Sequence, residues 1–257
     1  SNVLGRSSSY GSPFLDFASS GSFIGGGISL GNNSTISGVY FKGNHEEQDS
    51  MVIKLPSSSG LLLEFKESSI DSSLSLQIGL LKEPNSLLGS SFNGGYGSID
   101  ETQTYFSGVQ ASHAFSRFYT TGSVFFGETH TNLSETGLIN SINKFTSSSF
   151  NLGIFKNGLL NSLDSFGFKI TQPLKLEEAD IKLSIPVGRT KYREVLFEDY
   201  NLSLTPSGRE VRAEFIYQRP ISNGNLYASF GYIKDQGHMS LDKVEPYIAA
   251  NWQFYLF

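Results

Sequence analysis

Four histidines, at positions 45, 113, 130 and 238, are the side chains best suited to acid–base chemistry near neutral pH. A hydrolytic site needs more than a histidine, because base, nucleophile and orienting group must lie within hydrogen-bond reach of one another. His113 has hydroxyls nearby at Ser112 and Ser116, but in an extended strand both have the opposite parity and point to the other face. Its same-face neighbours, Ala111 and Phe115, offer no nucleophile. His130 and His238 fall in polar stretches that read as solvent-exposed loops. The run His45-Glu46-Glu47-Gln48-Asp49 has the oxygen donors for a hard cation but lacks the spaced Asp/Asn and Gly pattern of a calcium loop, so it reads as a solvated loop. Gly25-Gly26-Gly27 is followed by no Lys-Ser/Thr pair and is not a phosphate loop. The chain has no cysteine, which removes thiolate metal sites and disulfides. The expectation is a protein that is not an enzyme and has no cofactor or metal.

The elements that hold these residues have a repeat of two. Across residues 209–219, Val211, Ala213, Phe215 and Tyr217 fall on one side and Glu210, Arg212, Glu214 and Gln218 on the other. Leu226, Ala228, Phe230 and Tyr232 continue the pattern after a connection containing Asn223-Gly224, a pair typical of tight hairpins. Alternation also marks Phe166/Phe168/Ile170, Ile181/Leu183/Ile185/Val187, Phe150/Leu152/Ile154, Leu74/Leu76/Ile78/Leu80, Leu61/Leu63/Phe65 and Ile24/Gly26/Ile28/Leu30. Segments 35–42, 104–114, 117–127 and 198–204 look extended with ambiguous faces, and Met51 to Leu55 is either a short strand or loop. Long polar stretches at 43–50, 83–97, 128–146, 191–199 and 234–243 mostly alternate with short turns. No strong amphipathic helix is present.

The 257 residues are 38% hydrophobic and 13% aromatic, with 27 glycines, enough apolar material to fold. A mean hydropathy of −0.17 and the absence of a long apolar run exclude a helical membrane protein but not a barrel, whose strands alternate lipid-facing and lumen-facing residues. The net charge of −5 argues against nucleic acid as a partner. The predicted fold is an all-β, antiparallel transmembrane β-barrel of about 12 to 14 strands. Residues 31–257 form the barrel, and residues 1–30 form a junction, a lumen segment or a first strand. Charge facing lipid is strongly destabilising, so Glu210, Arg212, Glu214, Lys169 and Lys182 are expected to face the lumen. Val211, Ala213, Phe215, Tyr217, Phe230, Trp252 and Phe254 are expected to face lipid. Part of the Ser/Gly-rich segment 7–27 is expected to enter or line the pore in extended form, since a charged interior would not suit an apolar plug. No charged and apolar leader opens the chain, so an export signal is expected upstream or already removed.

Ile248, Ala250, Trp252, Phe254 and Leu256 share one apolar face near the end, and Phe257 is the terminal aromatic, out of phase with that set. This arrangement resembles the C-terminal signal read by the outer-membrane assembly machinery. The phrases Ile170-Thr171-Gln172-Pro173-Leu174, Leu183-Ser184-Ile185-Pro186-Val187-Gly188-Arg189, Leu204-Thr205-Pro206-Ser207-Gly208-Arg209-Glu210 and Gly231-Tyr232 ahead of Gly237-His238 resemble the translocator barrel of subtilisin-like autotransporters. Val3-Leu4-Gly5-Arg6 with Tyr10-Gly11 resembles the junction before such barrels. The likeness covers residues 166–257 well and the middle of the chain poorly. Two departures stand out: residues 7–27 show no helix period where the family holds a helical linker, and no protease nucleophile stretch occurs. The resemblance implies a bacterial outer-membrane anchor or translocator for an extracellular passenger, with the lipid bilayer, lipopolysaccharide and the assembly machinery as partners. The alternatives are a stand-alone channel or structural barrel and, less well supported, a barrel enzyme.

Overall fold

The computed structural model describes residues 11–18, 21–43, 58–91, 99–133, 138–221, 224–241 and 243–254. A 3-10 helix, Pro13–Ala18, is followed by sixteen strands. They are β1 (Gly21–Leu30), β2 (Ser34–Gly43), β3 (Ser59–Ser68), β4 (Ser72–Pro84), β5 (Ser86–Leu87), β6 (Ser90–Ser91), β7 (Ile99–Phe115), β8 (Phe118–Leu133), β9 (Ile139–Ile142), β10 (Phe145–Asn157), β11 (Ser165–Glu178), β12 (Asp180–Arg189), β13 (Val195–Ser203), β14 (Val211–Ile221), β15 (Gly224–Lys234) and β16 (Val244–Phe254). A short 3-10 turn, Gln236–His238, precedes β16.

Eleven strands form one antiparallel sheet in the order β1-β2-β3-β4-β7-β8-β10-β11-β14-β15-β16, each paired with its neighbour in the main chain order. The strand count differs from the expectation of about 12 to 14. The alternating segment that becomes β12 pairs with β13 on one side and β9 on the other, in a separate three-stranded sheet. Alternation reports extension and one apolar face, and it cannot say which ladder a strand joins. Val195–Ser203 is also a strand where a polar loop was expected over much of its length, and the first main-sheet strand begins at Gly21, ahead of residue 31.

The connections are strongly asymmetric. At one end β1–β2, β3–β4, β7–β8 and β14–β15 are joined by two or three residues. The exception at that end, 158–164, is tightened by Asp164, whose carboxylate accepts the N–H groups of Leu159, Leu160 and Asn161 at 2.7, 2.9 and 3.0 Å. Burial pushes that carboxyl up, but the three amides outweigh it and hold it below its usual range. All the long connections, including the one carrying β12 and β13, lie at the other end.

Among the described residues β1 and β16 are the two free edges of the main sheet. With eleven strands alternating in direction, both edges run from the long-loop end to the short-turn end. The sheet is therefore not closed, and antiparallel closure needs one further strand running the opposite way.

Inward-facing aromatics lie flat over glycines of the neighbouring strand. Phe106 covers Gly79 and Phe125 covers Gly108, so a Cβ at either glycine would collide with the ring. The glycines give the rings a bare backbone to stack on and let adjacent strands pack without a gap. Gly108→Ala is expected to destabilise the fold by about 1–3 kcal/mol through overpacking, measured as a shift in the urea midpoint against wild type. An unchanged midpoint would mean that the Phe125 ring can move aside freely.

Candidate functional site

On the outward face of the main sheet large apolar side chains are exposed, and several polar side chains are buried on the inward face. On β4, Leu74, Leu76 and Ile78 are exposed while Ser75, Gln77 and Glu83 are buried. On β7, Tyr105 and Val109 are exposed while Thr102 and Thr104 are buried, with Thr104 hydrogen-bonded to Thr129 at 2.7 Å. The outward apolar surface continues through Phe126, Leu152, Phe215, Phe230, Ile248 and Trp252. A groove of about 800 Å³ crosses this face between Leu61, Leu63, Ile78, Leu80, Tyr105 and Phe126. At the long-loop end the band gives way to a charged belt, in which Glu128 pairs with His130 at 3.1 Å and Lys144 at 3.3 Å, and Lys82 approaches Glu101 at 4.0 Å.

The opposite face has two zones. The first is apolar: Phe14, from the 3-10 helix, is fully buried among Val39, Phe41, Leu62, Leu81, Phe106 and Phe125. Its ring stacks on Phe106 with centroids 4.6 Å apart and planes 14° from parallel. A Cβ at Gly127 would fall 2.6 Å from the Phe14 ring, so this glycine makes the seat. Gly11 lies beside Gln110, while Phe17 lies beside Gly89 and its carbonyl accepts the Ser58 hydroxyl at 2.7 Å. The segment therefore climbs the inner face toward the long-loop rim. The 85–91 connection packs over its upper end through Leu88. Glu83 holds that connection down by accepting the N–H groups of Leu88 and Gly89 at 2.9 and 2.8 Å. Residues 21–27 are extended, in β1, as expected, but residues 13–18 make a helical turn, and the interior around them is apolar where a charged one was expected.

The second zone is charged. Lys169 stands opposite Glu214 in the β11–β14 ladder, Arg212 donates through Nε to Glu210 Oε1 at 2.5 Å, and the Tyr247 hydroxyl bonds Glu214. Following the register through β8 and β10 puts Lys169, Glu210, Arg212 and Glu214 on the face that Phe14 packs against. Val211, Ala213, Phe215, Tyr217, Phe230 and Trp252 occupy the other face, with Phe168 and Phe215 ring centroids 4.9 Å apart. Phe254 ends β16 two residues beyond Trp252. Lys182 departs from its expected place: it lies on β12 of the small sheet, partly exposed, 2.8 Å from Asp199. Hydrogen bonds from Lys182 and Ser184 hold the Asp199 carboxyl below its usual range. Residues 45–49, Met51 to Leu55, Val3 to Tyr10 and Phe257 lie outside the described residues.

Among the described residues His113, His130 and His238 do not come together as a reacting centre. His113 is exposed beside Phe115, while Ser112 bonds Ser73 at 2.7 Å on the opposite face. His130 is on strand β8 rather than in a loop, next to Glu128 on the outward face. His238, expected to be exposed, is buried and bonded through both ring nitrogens. Among the described residues no group of three His, Cys, Asp or Glu side chains is arranged to hold a metal. Sequence reasoning missed Phe14 as the central interior contact. The signal was Phe14-Leu15-Asp16-Phe17, an apolar island in a Ser/Gly-rich stretch. Comparison with protein-family models, curated proteins and solved structures finds no match.

Proposed function

We propose that this chain is the membrane barrel of an autotransporter-type secretion protein. In this reading it sits in a bacterial outer membrane, anchors an extracellular passenger and keeps a short segment of its own chain in the lumen. The observation that carries the reading is the inverted surface, with apolar side chains outward and a polar and packed interior inward. Such a surface is stable against lipid tails and unstable against water. The short-turn and long-loop ends then correspond to the periplasmic and external sides, and the outward groove is filled by acyl chains of phospholipid or lipopolysaccharide. Hydrocarbon does not tolerate unpaired backbone edges, so in this reading a further strand running the opposite way fills the seam between β1 and β16 in the bilayer.

Two measurements test this. The chain is expected to reach a stable β-rich state only with detergent or lipid, by circular dichroism, and a soluble monomer with the same spectrum would overturn the membrane assignment. A reporter domain fused ahead of Ser1 is expected at the cell surface when expressed with an export signal. Reporter retained inside cells whose barrel is folded in the outer membrane would overturn the translocator assignment while leaving the membrane assignment intact.

A further inference from the structure

One imidazole ties the return limb of the β12–β13 hairpin to the rim of the main sheet, beside the Leu204 N–H bond to the Ala179 carbonyl and the bonds from Arg209 to Gln172 and Glu177. His238 Nδ1 accepts the backbone N–H of Glu210 at 3.0 Å, and Nε2 lies 3.0 Å from the Leu174 carbonyl. The first bond requires a bare Nδ1 and the second a proton on Nε2, which together select the neutral Nε2–H form. This ring joins three pieces of chain: β11 through Leu174, the start of β14 through Glu210, and the connection before β16. The pinned connection is conformationally demanding, with positive φ at Asp235, Gly237 and His238 of 52°, 66° and 59°. Two of these residues are not glycine, so tertiary contacts must hold the backbone there.

The same contacts fasten the limb that returns from the hairpin. Gly208 donates to the His238 carbonyl at 2.8 Å, Ser240 donates to Ser207 Oγ at 3.0 Å, and Gly237 donates to Glu210 Oε2 at 2.6 Å. The charged groups around the ring are unequal. Glu210 favours a cation, but Arg212 already pairs with it. Lys175 and Arg209 both oppose one, and Glu177 is shared between them at 3.2 and 2.6 Å. Burial holds the imidazole below its ordinary value of 6.5; the bond to the Leu174 carbonyl and the Glu210 charge act against it, and Lys175 and Arg209 add to it.

We propose that His238 is an acid-releasable clamp that fixes the return limb of the projecting hairpin to the rim of the main sheet. Protonating Nδ1 removes the acceptor for the Glu210 N–H and places a cation in a buried site beside Lys175 and Arg209. The folded state disfavours the charged ring, so the clamp is complete above the ordinary histidine value and weakens as pH falls through that value and below it. Release frees the 235–241 connection and the 204–209 limb together, while the main ladder persists.

The chain contains no cysteine, so a spin label on Ser240→Cys reports one site in the folded chain. The label is expected to be immobile at about pH 8 and reversibly mobile at about pH 5, across the range in which histidine titrates. His238→Gln, which does not titrate, is expected to abolish the transition, and His238→Ala to leave the label mobile throughout. An unchanged wild-type spectrum over that range overturns the clamp. So does a glutamine variant that keeps the wild-type transition. Side-chain nitrogen NMR of the wild-type histidines gives an independent reading should the variants fold poorly: a His238 that is already a cation at neutral pH also overturns it.

Discussion

Replacing Phe14 with alanine will undock the interior segment, at a cost of about 3–5 kcal/mol to its bound state. The ring is fully buried, stacked on Phe106 and seated on Gly127, so truncation leaves a cavity bounded by a rigid sheet that cannot collapse into it. The remaining anchors, Leu15 and Phe17, are only partly buried. In a closed membrane barrel the expected consequence is higher single-channel conductance in planar bilayers, together with protease cleavage inside residues 11–18. Deleting residues 1–20 is expected to raise conductance at least as much. A folded Phe14→Ala protein with wild-type conductance and protease resistance would show that this segment does not obstruct the interior.

Phe215→Arg is expected to cost about 2–4 kcal/mol of stability in lipid, because the side chain points outward from the middle of β14 into the apolar band. Its neighbours Phe166, Phe168 and Phe230 give the guanidinium no counter-charge. Tyr217→Arg, closer to the short-turn end where Tyr217 approaches Asp164 at 3.5 Å, should cost only about 0–1 kcal/mol because the headgroup region lies within reach. Urea unfolding of both variants in lipid vesicles checks the pair. Equal costs would remove the depth dependence that a membrane imposes.

The parts of the molecule that were legible in the sequence are those where one face is apolar and the other is not. β14 and β15 show this, and their residues separate onto the two faces as the alternation has them. Segments 35–42, 104–114 and 117–127 gave ambiguous faces for a reason visible in the fold. Phe41, Phe106 and Phe125 point inward to enclose Phe14, while Tyr40, Tyr105 and Phe126 point outward, so both faces of β2, β7 and β8 are aromatic. The inward rings stand over glycines of the next strand, a relation set by register and invisible in a single segment. His238 was illegible for a similar reason, since the partners that bury it come from residues 28 and 64 positions away. β12 carries the same alternation as the main strands, but the fold gives it a different neighbour.

The serial order of the main sheet also bears on how quickly the molecule can form. Every ladder except the β11–β14 pairing joins strands separated by a turn or a single connection, so most of the sheet zips up by successive hairpins with little loop-closure entropy. β11 must wait for β14 while 32 residues of hairpin and connection, numbers 179 to 210, are accommodated between them. Of the main-sheet pairings this one carries the greatest loop-closure cost, and a shortened β12–β13 excursion is expected to speed folding without touching a ladder of the main sheet.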